Sequence, residues 1–288
     1  MGHRAQARLT VAVDRPPRAP ADADAGRGVL LAGPPDGPPV VLVHGTRMSR
    51  TMWHPVLAHL AITHRCAAVD LPAHGELADV PFSVERAADI IAAHARTLAG
   101  ATGRQRATIV GLSLGGYVAI EAARRHPDVV AGLVLAGCSR EPRDALAASM
   151  RLLAWTMAFG GGRASRLASR AYFPRRYGAA VGAGVLEGGL WELGGAAALR
   201  TLPGLRSREA LRASGRPALV LNGAWDLIFR PGGDAFAQAC GGRHLVLERS
   251  AHLSNLDQPA AFADAVRTFV ADVDAVRVDG EGGDPGLY

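Results

Sequence analysis

The sequence predicts an α/β fold: a doubly wound, mostly parallel sheet with an inserted helical lid. Three observations carry this expectation. Short apolar runs without alternation recur along the 288 residues, and such runs suit strands covered on both faces. Helical periodicities separate the runs, and strand–helix alternation builds parallel sheets. The alternation lapses once, between about Ser139 and Gly215, where helical spacing continues without an intervening strand.

The elements follow in chain order. Residues 1–38 are rich in proline and glycine around two short apolar stretches, Leu9–Val13 and Val29–Leu31. They read as a ragged start with one or two edge strands, because proline is tolerated at sheet edges and not in central ladders. Val40–Val43, Ala67–Val69, Thr108–Val110, Leu133–Leu135, Ala218–Leu221 and Leu245–Leu247 are the buried strands. Ser83 caps a helix to about Leu98, with Val84, Ala87, Ile91, Ala95 and Leu98 on one face. A second helix runs from about Leu114 to Arg125 and stops ahead of Pro127. Pro259 opens the last, with Phe262, Val266, Phe269 and Val270 facing inward. In the lapse, Leu146, Met150, Leu153 and Met157 are helically spaced, and the clusters Gly160–Gly162, Gly188–Gly189 and Gly194–Gly195 separate several short helices. The core therefore takes residues 1–138 and 216–288, the lid residues 139–215, and residues 1–28 and 274–288 are expected to be loosely ordered.

Composition narrows the function. Hydrophobic residues make up 49% and charged residues 20%, which fits an ordinary globular domain. No apolar run approaches the roughly 20 residues of a membrane span, and the opening Met1–Gln6 carries no apolar stretch of a secretory signal. Cys66, Cys138 and Cys240 form no CxxC, so neither a zinc knuckle nor a redox pair is indicated and a reducing cytoplasm is expected. The net charge is +6, yet all 32 basic residues are arginine. Without lysine the chain has no Schiff base, no Walker phosphate loop and no Ser-Lys dyad. The arginines are dispersed, with no basic block and no interleaved aromatics, so no nucleic-acid partner is expected.

The chemistry concentrates at Gly111-Leu112-Ser113-Leu114-Gly115-Gly116, which follows an apolar run and opens a helix. A serine on so tight a strand-to-helix turn is strained, and the residues two before and two after it must be small. Gly111 and Gly115 meet that need. The turn lifts the Ser113 hydroxyl off the sheet and leaves the Leu114 N–H at a helix start, aimed at a developing oxyanion.

This stretch resembles the nucleophile elbow of the α/β-hydrolase superfamily, and the resemblance extends from about Val40 to Val270. Val41-Leu42-Val43-His44-Gly45-Thr46 is similar to the family's His-Gly oxyanion loop, which implies that Thr46 supplies the second oxyanion N–H. Asp70-Leu71-Pro72-Ala73-His74-Gly75 is similar to the loop after the next strand, with Pro72-Ala73 in place of the more usual Arg-Gly. Ala218 through Asp226 resembles the strand and loop that present the acid. Ser250-Ala251-His252-Leu253 resembles the histidine loop, with Ala251 where glycine is common.

The resemblance implies a catalytic triad of Ser113, Asp226 and His252 in the family's chain order. Each has a rival or a plainer role. Asp144 is the alternative acid, His244 the alternative histidine, and His44 and His74 are expected to shape loops through hydrogen bonds. Serine at the elbow argues against the relatives that use a carboxylate nucleophile. The expected reaction is acyl transfer to water from an ester, thioester or lactone of a small hydrophobic substrate, with no metal and no organic cofactor. Met150, Trp155, Met157 and Tyr172 of the lid would roof an apolar pocket, or simply cement the lid helices. A lyase, cyclase or carbon–carbon bond hydrolase on the same scaffold, and a slow-turnover ligand-binding protein, stay open. The sequence leaves the oligomeric state undetermined.

Overall fold

In a computed structural model, residues 26–159 and 162–281 are described. The strands are β1 (Val29–Ala32), β2 (Pro39–Val43), β3 (Arg65–Val69), β4 (Ala107–Leu112), β5 (Val130–Ala136), β6 (Ala218–Gly223) and β7 (Arg243–Leu247). They form one sheet in the order β1-β3-β2-β4-β5-β6-β7. β1 runs antiparallel to β3, and every other pair is parallel. The helices are α1 (His54–Leu60), α2 (Val84–Ala101), α3 (Leu114–Arg125), α4 (Asp144–Phe159), α5 (Gly162–Tyr177), α6 (Ala179–Glu187), α7 (Glu192–Thr201), α8 (Ser207–Ser214), α9 (Gly233–Ala239), the single turn α10 (Ser254–Asp257) and α11 (Pro259–Glu281).

Strand side chains alternate between two cores, as the two-residue period requires. Val41 and Val43 face a cluster with Ile91 of α2 and Val118 of α3, while Val40 and Leu42 face one with Leu57 of α1 and Phe262 of α11. Both faces of β2 are buried, which explains its unbroken apolar run. The Ser83 hydroxyl caps α2 by accepting the Arg86 N–H, and α3 spans Leu114–Arg125 as its sequence predicts. Among the described residues no helix is long and apolar enough to cross a membrane.

Several expectations need correction. β7 is not buried on both faces: it closes the sheet as an edge strand, with Arg243 and Leu245 exposed. Helix α11 continues to Glu281, past the predicted fraying point, because Val273 packs on the Gly132 backbone and Asp272 and Asp274 pair with Arg243 and Arg104. Helix α8 lies inside the predicted lid range of 139–215, yet it packs against α3 and buries Leu211 in the sheet's own core. Gly188 and Gly189 do separate α6 from α7, whereas Gly194 and Gly195 lie within α7. There they permit close approach: a Cβ on Gly194 would sit 1.9 Å from the Ala73 carbonyl oxygen. The predicted strand Leu9–Val13 lies outside the described residues.

Candidate active site

The parallel strands β2, β4, β5 and β6 end on one edge, and the loops beyond that edge carry the site. At the end of β4, Ser113 adopts φ 55° and ψ −114°, a left-handed conformation that a residue with a side chain rarely takes. The neighbouring backbone enforces it. A Cβ on Gly111 would lie 2.3 Å from the Gly115 carbonyl oxygen, and one on Gly115 would lie 2.3 Å from that of Val43. The turn is therefore wedged between its own helix and the end of β2. The Ser113 N–H donates to the Ala136 carbonyl at 2.8 Å, which ties the elbow to the end of β5. Leu114 is the first residue of α3, so its N–H has no acceptor one helical turn back.

Asp226 and His252 meet beside this turn. His252 Nδ1 is 3.0 Å from Asp226 Oδ2, and Asp226 is 4% exposed. Burial pushes the Asp226 carboxyl up, but the imidazole contact and the Phe229 and Ile228 amides outweigh it and hold the group below the usual range. An ionised Asp226 fixes the proton on Nδ1 and leaves Nε2 with its lone pair. The Phe229 ring stacks on the imidazole at 5.1 Å between centroids. Gly137, with φ 58°, directly follows the carbonyl that binds Ser113; a Cβ there would lie 3.0 Å from His252 Cε1 and Nδ1. The imidazole thus rests on the backbone next to the elbow.

The two loops hold each other. Trp225 N–H donates to the Ser250 carbonyl at 2.9 Å, and Ala224 N–H to that of Leu247 at 2.9 Å. Asp257 accepts the Ala251 N–H at 2.9 Å and pairs at 2.5 Å with Arg176 of α5.

The Gly45–Thr46 turn is oriented by His44. The Leu71 N–H donates to His44 Nε2 at 2.9 Å, so the proton resides on Nδ1, which donates to the Gly45 carbonyl at 2.8 Å. In a trans peptide the C=O and the following N–H point in opposite directions, so anchoring the Gly45 carbonyl aims the Thr46 N–H away from His44. His74 donates from Nδ1 to the Pro72 carbonyl at 2.8 Å and packs on the His44 ring at 5.0 Å. Burial above all lowers the pKa of His44 to about 4 and that of His74 to about 3. Both are structural neutral imidazoles at pH 7.

The remaining candidates separate from this group. Asp144 is exposed at the start of α4, and His244 pairs with Asp234 at 2.8 Å. The four lid residues expected to roof a pocket or cement the lid helices divide between helix packing and exposed surface. Met150 and Met157 are buried with Ala154, Ala196 and Leu199 in the packing between α4 and α7. Trp155 is 59% exposed beside Phe159, and Tyr172 is 51% exposed beside Phe173 and Tyr177. Tyr172 borders a surface groove of about 450 Å³ with Arg175 and Arg176. Sequence reasoning missed Gly137 and Gly116. A Cβ on Gly116 would meet Cys138 Sγ at 2.3 Å, and the Gly115-Gly116 doublet is the available sequence signal.

Known proteins resemble this chain. The sequence profile of the alpha/beta hydrolase family matches residues 40–265. A pimeloyl-[acyl-carrier protein] methyl ester esterase from Neisseria meningitidis is 42% identical over 97 residues, 33% of this chain and 35% of that protein. The match thus spans about a third of that relative's length. A thermophilic esterase from Thermogutta terrifontis superposes with a TM-score of 0.69 at 27% identity, covering 86% of this chain and 93% of its own. An esterase from Rhodococcus sp. ECU1013 superposes with a TM-score of 0.66 at 25% identity, covering 86% and 96%. With well over half of its length matched and the sheet order, elbow and loops in place, the chain belongs to the alpha/beta hydrolase family.

Proposed function

We propose that the protein is a serine hydrolase of small carboxylic esters, working through an acyl-enzyme. The observation that carries this reading is the buried Asp226 paired with a partly exposed His252 seated on Gly137, beside a serine held at φ 55°. Ser113 attacks the ester carbonyl carbon while His252 Nε2 takes its proton. The negative charge on the carbonyl oxygen is met by the Leu114 and Thr46 amides, each such donor being worth about 2.7–4 kcal/mol. The imidazolium, steadied by Asp226, then protonates the departing alkoxide. Water attacks the acyl-enzyme by the same route in reverse, releasing the acid and restoring Ser113.

Helices α4–α7 act as the lid in this reading, since α7 abuts the oxyanion turn and α5 pairs with the histidine loop. The esterase relatives support ester cleavage. The test is hydrolysis of a short p-nitrophenyl ester, with fluorophosphonate labelling and peptide mapping. Ser113→Ala and His252→Ala are each expected to lower turnover by at least about a thousandfold, with the label on Ser113. Wild-type turnover in either variant, or a label elsewhere, overturns the proposal.

A further inference from the structure

The residue after Thr46 is bound to the inserted helices in a way that packing does not require. Arg47 has φ 60°, a left-handed backbone for a residue with a long side chain. Its carbonyl accepts the Trp191 N–H at 2.8 Å, and its guanidinium donates to Ser169 Oγ of α5 at 2.8 Å. The same nitrogen lies 2.8 Å from Glu192 Oε1 in the first turn of α7, where the Glu192 side chain is 2% exposed. Neither Glu192 oxygen receives an aligned hydrogen bond among the described residues, and Arg47 Nε is likewise buried without a partner. Below this contact, a Cβ on Gly195 would lie 3.0 Å from Thr46 Cγ2 and 3.2 Å from the Arg47 amide nitrogen.

A buried carboxylate held by charge alone is a poor way to gain stability, because an apolar pair of the same volume avoids the desolvation cost. It does fix position, since the charges attract across one defined gap. From the Arg47–Glu192 pair we infer that Glu192 is a positioning residue, holding the oxyanion turn in place from α7. The inference rests on the serine-hydrolase reading above. The Thr46 amide sits between two anchors: His44 holds the Gly45 carbonyl on one side, and Glu192 with Trp191 holds Arg47 on the other. Releasing the second anchor lets Arg47 relax toward negative φ, which rotates the turn and moves the Thr46 N–H off the position of the developing oxyanion. Substrate binding does not use that N–H to the same degree, so the loss falls on kcat.

The experiment compares Glu192→Gln and the apolar double variant Arg47→Met/Glu192→Leu with wild type, reading kcat, KM, thermal midpoint and affinity for an aryl boronic acid. The boronate forms a tetrahedral adduct on a reactive serine and so samples the oxyanion site without turnover. Glu192→Gln is expected to lower kcat about tenfold or more, to weaken the boronate in parallel, and to leave KM within about twofold. The double variant is expected to regain the wild-type thermal midpoint and still lack the wild-type kcat. If Glu192→Gln does not fold, the double variant decides alone. A double variant with wild-type kcat and boronate affinity, or a loss confined to KM, overturns the positioning role. Absence of Ser113-dependent turnover in the wild type overturns the serine-hydrolase reading itself, a result separate from Ser113-dependent turnover that both variants retain.

Discussion

The carboxyl edge of the sheet and the helices inserted beyond it are held together by different kinds of contact. At the edge, backbone meets backbone: Gly111, Gly115 and Gly223 each stand where an added Cβ would lie 2.3 Å from a carbonyl oxygen. Around α4 and α5, side chains carry much of the attachment, through Arg176–Asp257 and the half-exposed Trp155 and Tyr172. Backbone close approach has no rotamer to relax into, so it fixes these turns rigidly. Ion pairs and partly solvated aromatics rearrange at lower cost. The turns at the sheet edge are thus less adjustable than the packing of α4 and α5.

The sharpest break of this contrast compares the two acids at the ends of adjacent strands. Asp226→Asn is expected to cut ester turnover about 10³–10⁴-fold by losing the fixed tautomer of His252, whereas Asp144→Asn stays within about twofold. The reverse order, read from initial rates, moves the acid to the loop after β5. Next in size is a pair of stability measurements. Gly115→Ala is expected to cost about 3 kcal/mol or more, because its Cβ meets main chain that cannot step aside, and Trp155→Ala less than about 0.5 kcal/mol. Urea midpoints at constant slope check both, and equal costs would erase the distinction between the regions.

The smallest effect per step is the acid response of the buried histidines. His44 and His74 have folded values of about 4 and about 3, below the unfolded value of about 6.5. Between these limits the unfolded chain binds more protons, so stability is full above about pH 6.5 and declines as the pH falls, by about 1.4 kcal/mol per unit for each histidine. Urea midpoints at pH 7 and pH 5 report the decline, and His74→Leu is expected to make it shallower. An unchanged slope in that variant would remove His74 from the account.

The sheet and the elbow were readable because their causes are local. Val40–Val43 is apolar throughout since both its faces are covered, and Gly111 and Gly115 flank Ser113 because one tight turn constrains them together. β7 misled because an edge strand with Leu245 and Leu247 looks like an interior one. Gly137 was passed over because its constraint comes from His252, a residue distant in the chain. Gly194 and Gly195 misled for the same reason: glycine suggests a break in a helix, but here Ala73 and Thr46 press against one. The joining of Asp226 to His252 followed from the family resemblance. The burial of Glu192 against Arg47 had no signal at all, since a Glu before an apolar stretch ordinarily faces water.

Cys138 has a practical consequence. Its sulfur occupies the space behind the elbow that a side chain on Gly116 would fill, fully buried, with its thiol pushed up by burial. An alkylating reagent reaches it only when α3 lifts away from β5. The speed at which that single thiol is modified, set against the partly buried Cys240 as an internal reference, therefore clocks how often the packing behind Ser113 comes apart.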